Sequence, residues 1–154
     1  SMHIDYTRLN DDEQLILKAA ANIIEERYIR QDEYTNPEHV KQFVQYKLSH
    51  YEREVFAVML LDNQHRLIEF KEMFFGTIDC APVYPREVLK AVLHANAAAV
   101  IFAHNHPSGL PEPSESDKQI TQKLKDALSL IDVRVLDHIV TGETSVSFAE
   151  RGLM

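Results

Sequence analysis

The chain has 154 residues, 45% of them hydrophobic and 26% charged, with a formal net charge of −8 at pH 7. That is enough apolar material for one ordinary soluble domain, and no stretch approaches the roughly 18–20 apolar residues of a membrane span. The acidic balance argues against non-specific nucleic-acid binding, which needs clustered Lys and Arg, and the single cysteine, Cys80, excludes an internal disulfide.

In chain order, Ser1 before Met2 reads as an added residue, and no basic-then-apolar signal peptide follows. With no export signal and one cysteine, a cytoplasmic protein is expected. Residues 11–30 read as an amphipathic helix capped by Asn10 or Asp11, with Ile16, Ala19, Ala20, Ile23 and Ile24 as its apolar stripe. Arg27 and Arg30 lie among Glu25, Glu26, Asp32 and Glu33, a solvated mixed-charge face rather than a basic patch. Tyr34 to Asn36 link to a second helix over 37–48, opened by Pro37 behind Asn36 and carrying Val40, Phe43, Val44 and Leu48 inward.

Val55 to Leu61 is a continuous run of strand formers, the pattern of a strand buried on both faces. Asp62-Asn63-Gln64 reads as a turn and Arg66 to Phe70 as the returning strand. Pro85 opens a helix to about Asn96, and Ala99 to Ala103 is a second buried strand ending at His104. Ser114 to about Ile131 is helical, with Ile120, Leu124, Ala127, Leu128 and Ile131 on one face. Val133 to Val140 and Ser145 to Phe148 are strands around a turn at 141–143. The expected class is α/β or α+β around a mixed sheet, with a helical segment over 1–50 and the main domain over 51–154.

The densest chemical signal is the run from His104 to Asp117. His104 and His106 sit two apart at the end of a strand, so both rings project to one face. Pro107 stops the strand, a loop through Gly109 carries the chain round, and Ser114 opens the next helix with Asp117 one turn in. That brings a carboxylate oxygen and a hydroxyl back toward two imidazoles. Two nitrogens and one carboxylate oxygen suit Zn²⁺, one per chain, with a fourth position left for water. Ser114 and Asp117 also have the spacing of a capping box, which is compatible with the chemical role.

This spacing, His-x-His-Pro, six residues, Ser, two residues, Asp, resembles the JAMM motif of JAB/MPN+ metalloproteases, and every fixed position is filled. The surroundings resemble the bacterial RadC family of JAB-domain proteins. The resemblance rests on Phe75-Gly76-Thr77, Pro85-Arg86-Glu87, Asn96-Ala97-Ala98-Ala99, His104 to Gly109, Val133 to His138 and Ser147 to Gly152. It covers about Glu54 to the C-terminus. It implies a JAB/MPN-like mixed, curved sheet flanked by helices, and zinc held by His104, His106 and Asp117. It also implies an upstream glutamate as general base, Glu54 or else Glu52, and Ser114 as the residue that steadies the tetrahedral intermediate. Longer RadC proteins carry an N-terminal region resembling a helix-hairpin-helix; the residues before Glu54 show no Gly-containing hairpin, so the short form of the family is expected.

His138, beside Asp137, would close the site to water as a fourth ligand, so a structural or supporting role behind the ligands is expected. Cys80 has no indicated partner and reads as inert. His3, His39, His50, His65 and His94 have no ligand spacing. His104-Asn105-His106 shares only its letters with the HNH nucleases. The leading reading is a zinc-dependent hydrolase of peptide, isopeptide or related amide bonds acting on a peptide or protein substrate. Against it stand a metal-dependent nuclease or DNA-repair factor, which would need a basic groove, and a scaffold without catalysis, in which the ligand set would be expected to be lost.

Overall fold

The computed structural model describes residues 5–30, 36–77 and 81–154. The sequence readings of His3, Tyr34, Thr35 and Cys80 lie outside those residues. No helix among them is long and apolar enough to cross a membrane.

Helix α1 (Asp11–Ile24) begins at a capping box: Asn10 accepts the Glu13 amide at 2.9 Å while the Glu13 carboxylate accepts the Asn10 amide at 3.1 Å. It runs on through a π-helical turn, Glu25–Ile29. Its expected inward stripe is only partly right. Ile24 is buried together with Ala21 and Ile29, but Ile16 is 67% and Ile23 57% exposed. The helix carries two apolar stripes about a third of a turn apart at a period of about 3.6 residues, and docking buries Ala21 and Ile24 and partly covers Leu17 and Ala20. Helix α2 (Pro37–Leu48) buries Val40, Phe43, Val44 and Leu48, as its spacing predicts, and Asn36 caps it by accepting the Glu38 amide.

The sheet has the order β2-β1-β3-β4-β5, from β1 (Val55–Leu61), β2 (Leu67–Phe75), β3 (Ala99–Asn105), β4 (Arg134–Thr141) and β5 (Ser145–Ser147). Only β3 and β4 are parallel, joined by a crossover through α4 (Glu115–Ser129). Strand β2 is longer than its apolar run suggests. It is an edge strand, needs one apolar face only, and pairs with β1 along its whole length.

Strand parity divides the core in two. From β1, Val55, Ala57, Met59 and Leu61 pack toward α1 and α2, whereas Phe56, Val58 and Leu60 pack toward α4 and α3 (Pro85–Ala95). Strand β3 divides the same way, with Ala99, Ile101 and Ala103 on the first side and Val100 and Phe102 on the second. The result is a mixed α/β fold with a five-stranded sheet flanked by helices. Residue 104 continues the second set, so its side chain is delivered to the face covered by α4.

Candidate metal centre

His104 is the penultimate residue of β3, and His106 stays in register because its amide donates to the Thr141 carbonyl of β4 at 2.8 Å. The loop that follows is tied down at Gly109, whose carbonyl accepts the Glu143 amide at 2.8 Å. A side chain at Gly142 would overlap that carbonyl, so the close approach needs glycine there. The chain then enters α4 at Ser114. The capping box forms: Ser114 Oγ accepts the Asp117 amide at 3.0 Å, and Asp117 Oδ2 accepts the Ser114 amide at 2.8 Å. The cap therefore orients Asp117 as well as starting the helix.

His104, His106 and Asp117 present one ligand atom each, all within 4.8 Å of one another. The Nε2 atoms of the two rings are 3.0 Å apart. His104 Nε2 lies 3.1 Å from Asp117 Oδ1, and His106 Nε2 lies 3.1 Å from Asp117 Oδ2.

The hydrogen-bond network fixes which nitrogens carry protons. His106 Nδ1 faces the Leu110 carbonyl at 2.9 Å and must donate to it, leaving Nε2 bare in the neutral ring. Thr121 gives its one hydroxyl proton to the Asp117 carbonyl at 2.6 Å, so at 2.5 Å it accepts from His138 Nδ1. His138 is fully buried, and burial followed by the neighbouring His104 holds its pKa well below the ordinary value, so it is neutral and its Nε2 is bare. His104 Nδ1 then donates to that nitrogen at 2.7 Å, leaving its own Nε2 bare. In the neutral rings two lone pairs thus face each other beside a carboxylate, an arrangement that a bound cation or an added proton relieves. The site also favours positive charge on the His106 imidazole and negative charge on the carboxylate. Burial works against a charged His106, yet the Asp117 hydrogen bond and the Leu110 carbonyl outweigh it and raise its pKa. Burial likewise opposes ionised Asp117, but the facing His104 and His106 rings and the Ser114 amide favour its charged form and hold its carboxyl well below the usual range. The residues present fit a divalent metal ion.

A cavity of about 620 Å³ opens on these groups, and Glu54, Phe56, Val83, Ser114 and Ile120 also line it. Glu54 Oε1 is 4.0 Å from His106 Nε2. The segment carrying it is held on both sides: its amide donates to the Thr77 carbonyl at 2.7 Å and its carbonyl accepts the Gly76 amide at 2.8 Å. Glu52 is exposed and does not line the cavity. Ser114 Oγ accepts from Asp117 and keeps its own proton for another acceptor.

The RadC-like JAB domain family matches residues 34–153. A UPF0758 protein of Vibrio cholerae serotype O1 is 64% identical over 140 residues, 91% of this chain and 89% of that protein, and a second from the same organism is 66% identical over the same shares. A UPF0758 protein of Marinomonas sp. is 53% identical over 150 residues, 97% of this chain but 65% of that protein. The chain belongs to the RadC-like JAB family. Within this family member, the match starts ahead of β1 and takes in α2, whose buried residues share their core with the sheet.

Three contributors to the site escape a reading of the sequence. Asn105 has the opposite parity to its flanking histidines. It sends its amide to the other face, where it holds the backbone of Tyr51, Arg53 and Val55. Thr121 reads as an ordinary helix residue, yet its position one turn beyond Asp117 sets the tautomer of His138. Asp137 anchors the last turn, with Oδ2 accepting from Ser147 Oγ at 2.5 Å and Oδ1 from the Ala149 amide at 2.9 Å. The parity of β3 was the signal available for Asn105; the other two depend on tertiary contacts.

Proposed function

We propose that this protein is a zinc-dependent hydrolase of peptide, isopeptide or related amide bonds, acting in the cytoplasm on a peptide or protein substrate. The observation that carries the reading is the convergence of two bare imidazole nitrogens and the Asp117 carboxylate, with Glu54 Oε1 at 4.0 Å from His106 Nε2 in the same cavity. His104, His106 and Asp117 would hold the ion. Zinc with two nitrogen ligands and one oxygen ligand keeps a position for water, lowers the pKa of that water to about 7 and polarises a carbonyl.

The remaining work falls to the chain. Glu54 takes the proton of the attacking water and delivers it to the departing amine. The Ser114 hydroxyl donates to the oxygen on which negative charge develops. The His138–Thr121 pair keeps His104 in the tautomer that leaves Nε2 free. Phe56, Val83 and Ile120 form an apolar wall that would accommodate an apolar group beside the scissile amide. The net charge of −8 favours a protein substrate over a nucleic-acid one.

Metal analysis of the purified protein, joined to a peptide-library cleavage assay, tests the proposal. Zinc near one equivalent per chain and cleavage lost on chelation are expected. If zinc content is unchanged in a His104→Ala, His106→Ala double variant, the metal sits elsewhere; if a zinc-loaded protein cleaves no amide, the activity is wrong.

A further inference from the structure

The apolar stripe of α1 that the fold leaves uncovered is the feature no part of the site accounts for. Ile16 is 67%, Ile23 57% and the flanking Leu15 62% exposed, all on the side of the helix turned away from α2. Ala19 lies between the two isoleucines on the same side, with Ala20 beside it at the edge of the stripe. An exposed row of large aliphatics on one helix marks an interaction surface.

The order of residues along the stripe says what covers it. Ile16 and Ile23 lie equally far on either side of the midpoint between Ala19 and Ala20, and so do Asp12 and Arg27. The face is therefore its own complement when reversed. Two copies laid antiparallel bring Ile16 against Ile23 of the other copy, alanine against alanine at the centre, and Asp12 against Arg27 at both ends. Neither Asp12 nor Arg27 has an ion-pair partner among the described residues, unlike Arg30, which is bound to Glu25 at 2.7 Å. The central alanines allow the helix axes to approach closely. At the Ile16 end the stripe opens into a largely apolar groove of about 320 Å³ lined by Tyr6, Leu9, Ile16, Leu17 and Tyr46, with Glu13 as its one charged residue, in which an opposing isoleucine can seat.

We infer that this face of α1 is the interface of a two-fold symmetric homodimer in which the helices pack antiparallel. A parallel arrangement would set Asp12 against Asp12 and Arg27 against Arg27. An anionic lipid surface is disfavoured by Asp11, Asp12 and Glu13 at one end of the stripe. Each interface residue is met by a different residue of the same set in the second copy, the rule for a closed isologous contact. The metal centre lies on the opposite side of the sheet, so both sites stay open in the dimer.

Sedimentation equilibrium of the full chain over a wide concentration series tests the inference. A monomer–dimer equilibrium is expected. I16E and I23E should each weaken it by about tenfold or more, because every substitution is made twice in the apolar part of a symmetric contact. D12R and R27D should each weaken it a few-fold, and the D12R, R27D double variant should restore it, since the opposite charges still meet. These residues are exposed and remote from the site, so helix content by circular dichroism and metal content should be unchanged. A wild-type chain that is monomeric throughout, or a dimer that I16E and I23E leave intact, overturns the proposal. A double charge variant no better than the single ones overturns the antiparallel register.

Discussion

Asn105 Oδ1 accepts the backbone amide of Val55 at 2.7 Å, across the pair of strands that meet at the candidate metal centre. The same side chain donates to the Arg53 carbonyl at 2.9 Å. Glu54 is thus held between two backbone groups by the residue that separates the two histidines. One strand end sets both the candidate ligands and the distance to the proposed base.

Replacing Asn105 with Leu should leave the buried Val55 amide unpaired and cost about 1–3 kcal/mol of stability. Hydrolysis should fall further than metal affinity does, because Glu54 is displaced while His104 and His106 remain. Urea denaturation, metal titration and rate measurement on one preparation separate these effects. Equal loss of metal and rate would mean that Asn105 supports the ligands rather than the base.

The choice between Glu54 and Glu52 is open to a direct comparison. Glu54→Gln keeps the side chain's size and removes its basicity, so zinc and fold should be retained while the rate drops about 10²–10⁴-fold. Glu52→Gln, at an exposed position outside the cavity, should cleave at the wild-type rate. The reverse pattern assigns the base to Glu52, and full activity in both variants discards the mechanism.

Much of this is legible in the sequence. The buried strands at 55–61 and 99–103 are unbroken apolar runs, and the His104-to-Asp117 spacing names the candidate ligand residues that the fold brings together. Periodicity failed at α1 because the helix carries two apolar stripes, and sequence alone does not say which one meets α2. It also failed to place β2 fully, since Lys71 and Glu72 look unlike a strand until β2 is known to be an edge. Glu54 and Glu52 share strand parity; what distinguishes their positions is how the chain enters β1, which depends on Asn105 and the Gly76–Thr77 backbone. Tautomers set through His138 and Thr121 belong to packing, which spacing does not encode.

That tautomer chain makes its own prediction. Thr121→Val removes the hydroxyl that receives the His138 proton, and His138→Phe removes the acceptor for His104 Nδ1. The volume remains filled in both, and His138 already stacks against Phe148 with ring centroids 4.6 Å apart. Metal affinity should fall about 10–100-fold in each, the usual effect of losing a partner that orients a histidine ligand. Nitrogen-15 chemical shifts of the imidazoles in wild-type protein should show protons on His138 Nδ1, His104 Nδ1 and His106 Nδ1. Protonation of His104 at Nε2 in the metal-loaded protein would rule the chain out.

Metal removal should also soften the fold. The bare nitrogens and the Asp117 carboxylate exist together only in the folded chain, so an ion that binds them stabilises that state by about 2.7 kcal/mol when present at a hundred times its dissociation constant. Thermal unfolding with and without chelator should differ accordingly, and the difference should vanish in the His104→Ala, His106→Ala variant. An equal chelator effect in that variant would place the stabilising ion at another site.

Ser114 carries two roles that can be pulled apart by two substitutions. Its Oγ caps α4 by accepting the Asp117 amide at 3.0 Å, and its proton is proposed to reach the developing oxyanion. Ser114→Ala removes the cap and should cost about 0.5–2 kcal/mol of stability, whereas Ser114→Gly, with a residue tolerated at N-caps, should cost only a few tenths. Both lack the hydroxyl. If the proton matters for chemistry, both variants should lose about 10²–10³ in kcat despite their unequal stabilities, as loss of an oxyanion donor does elsewhere. If activity instead follows stability, with the glycine variant near wild type, Ser114 acts only by starting the helix and holding Asp117 in place.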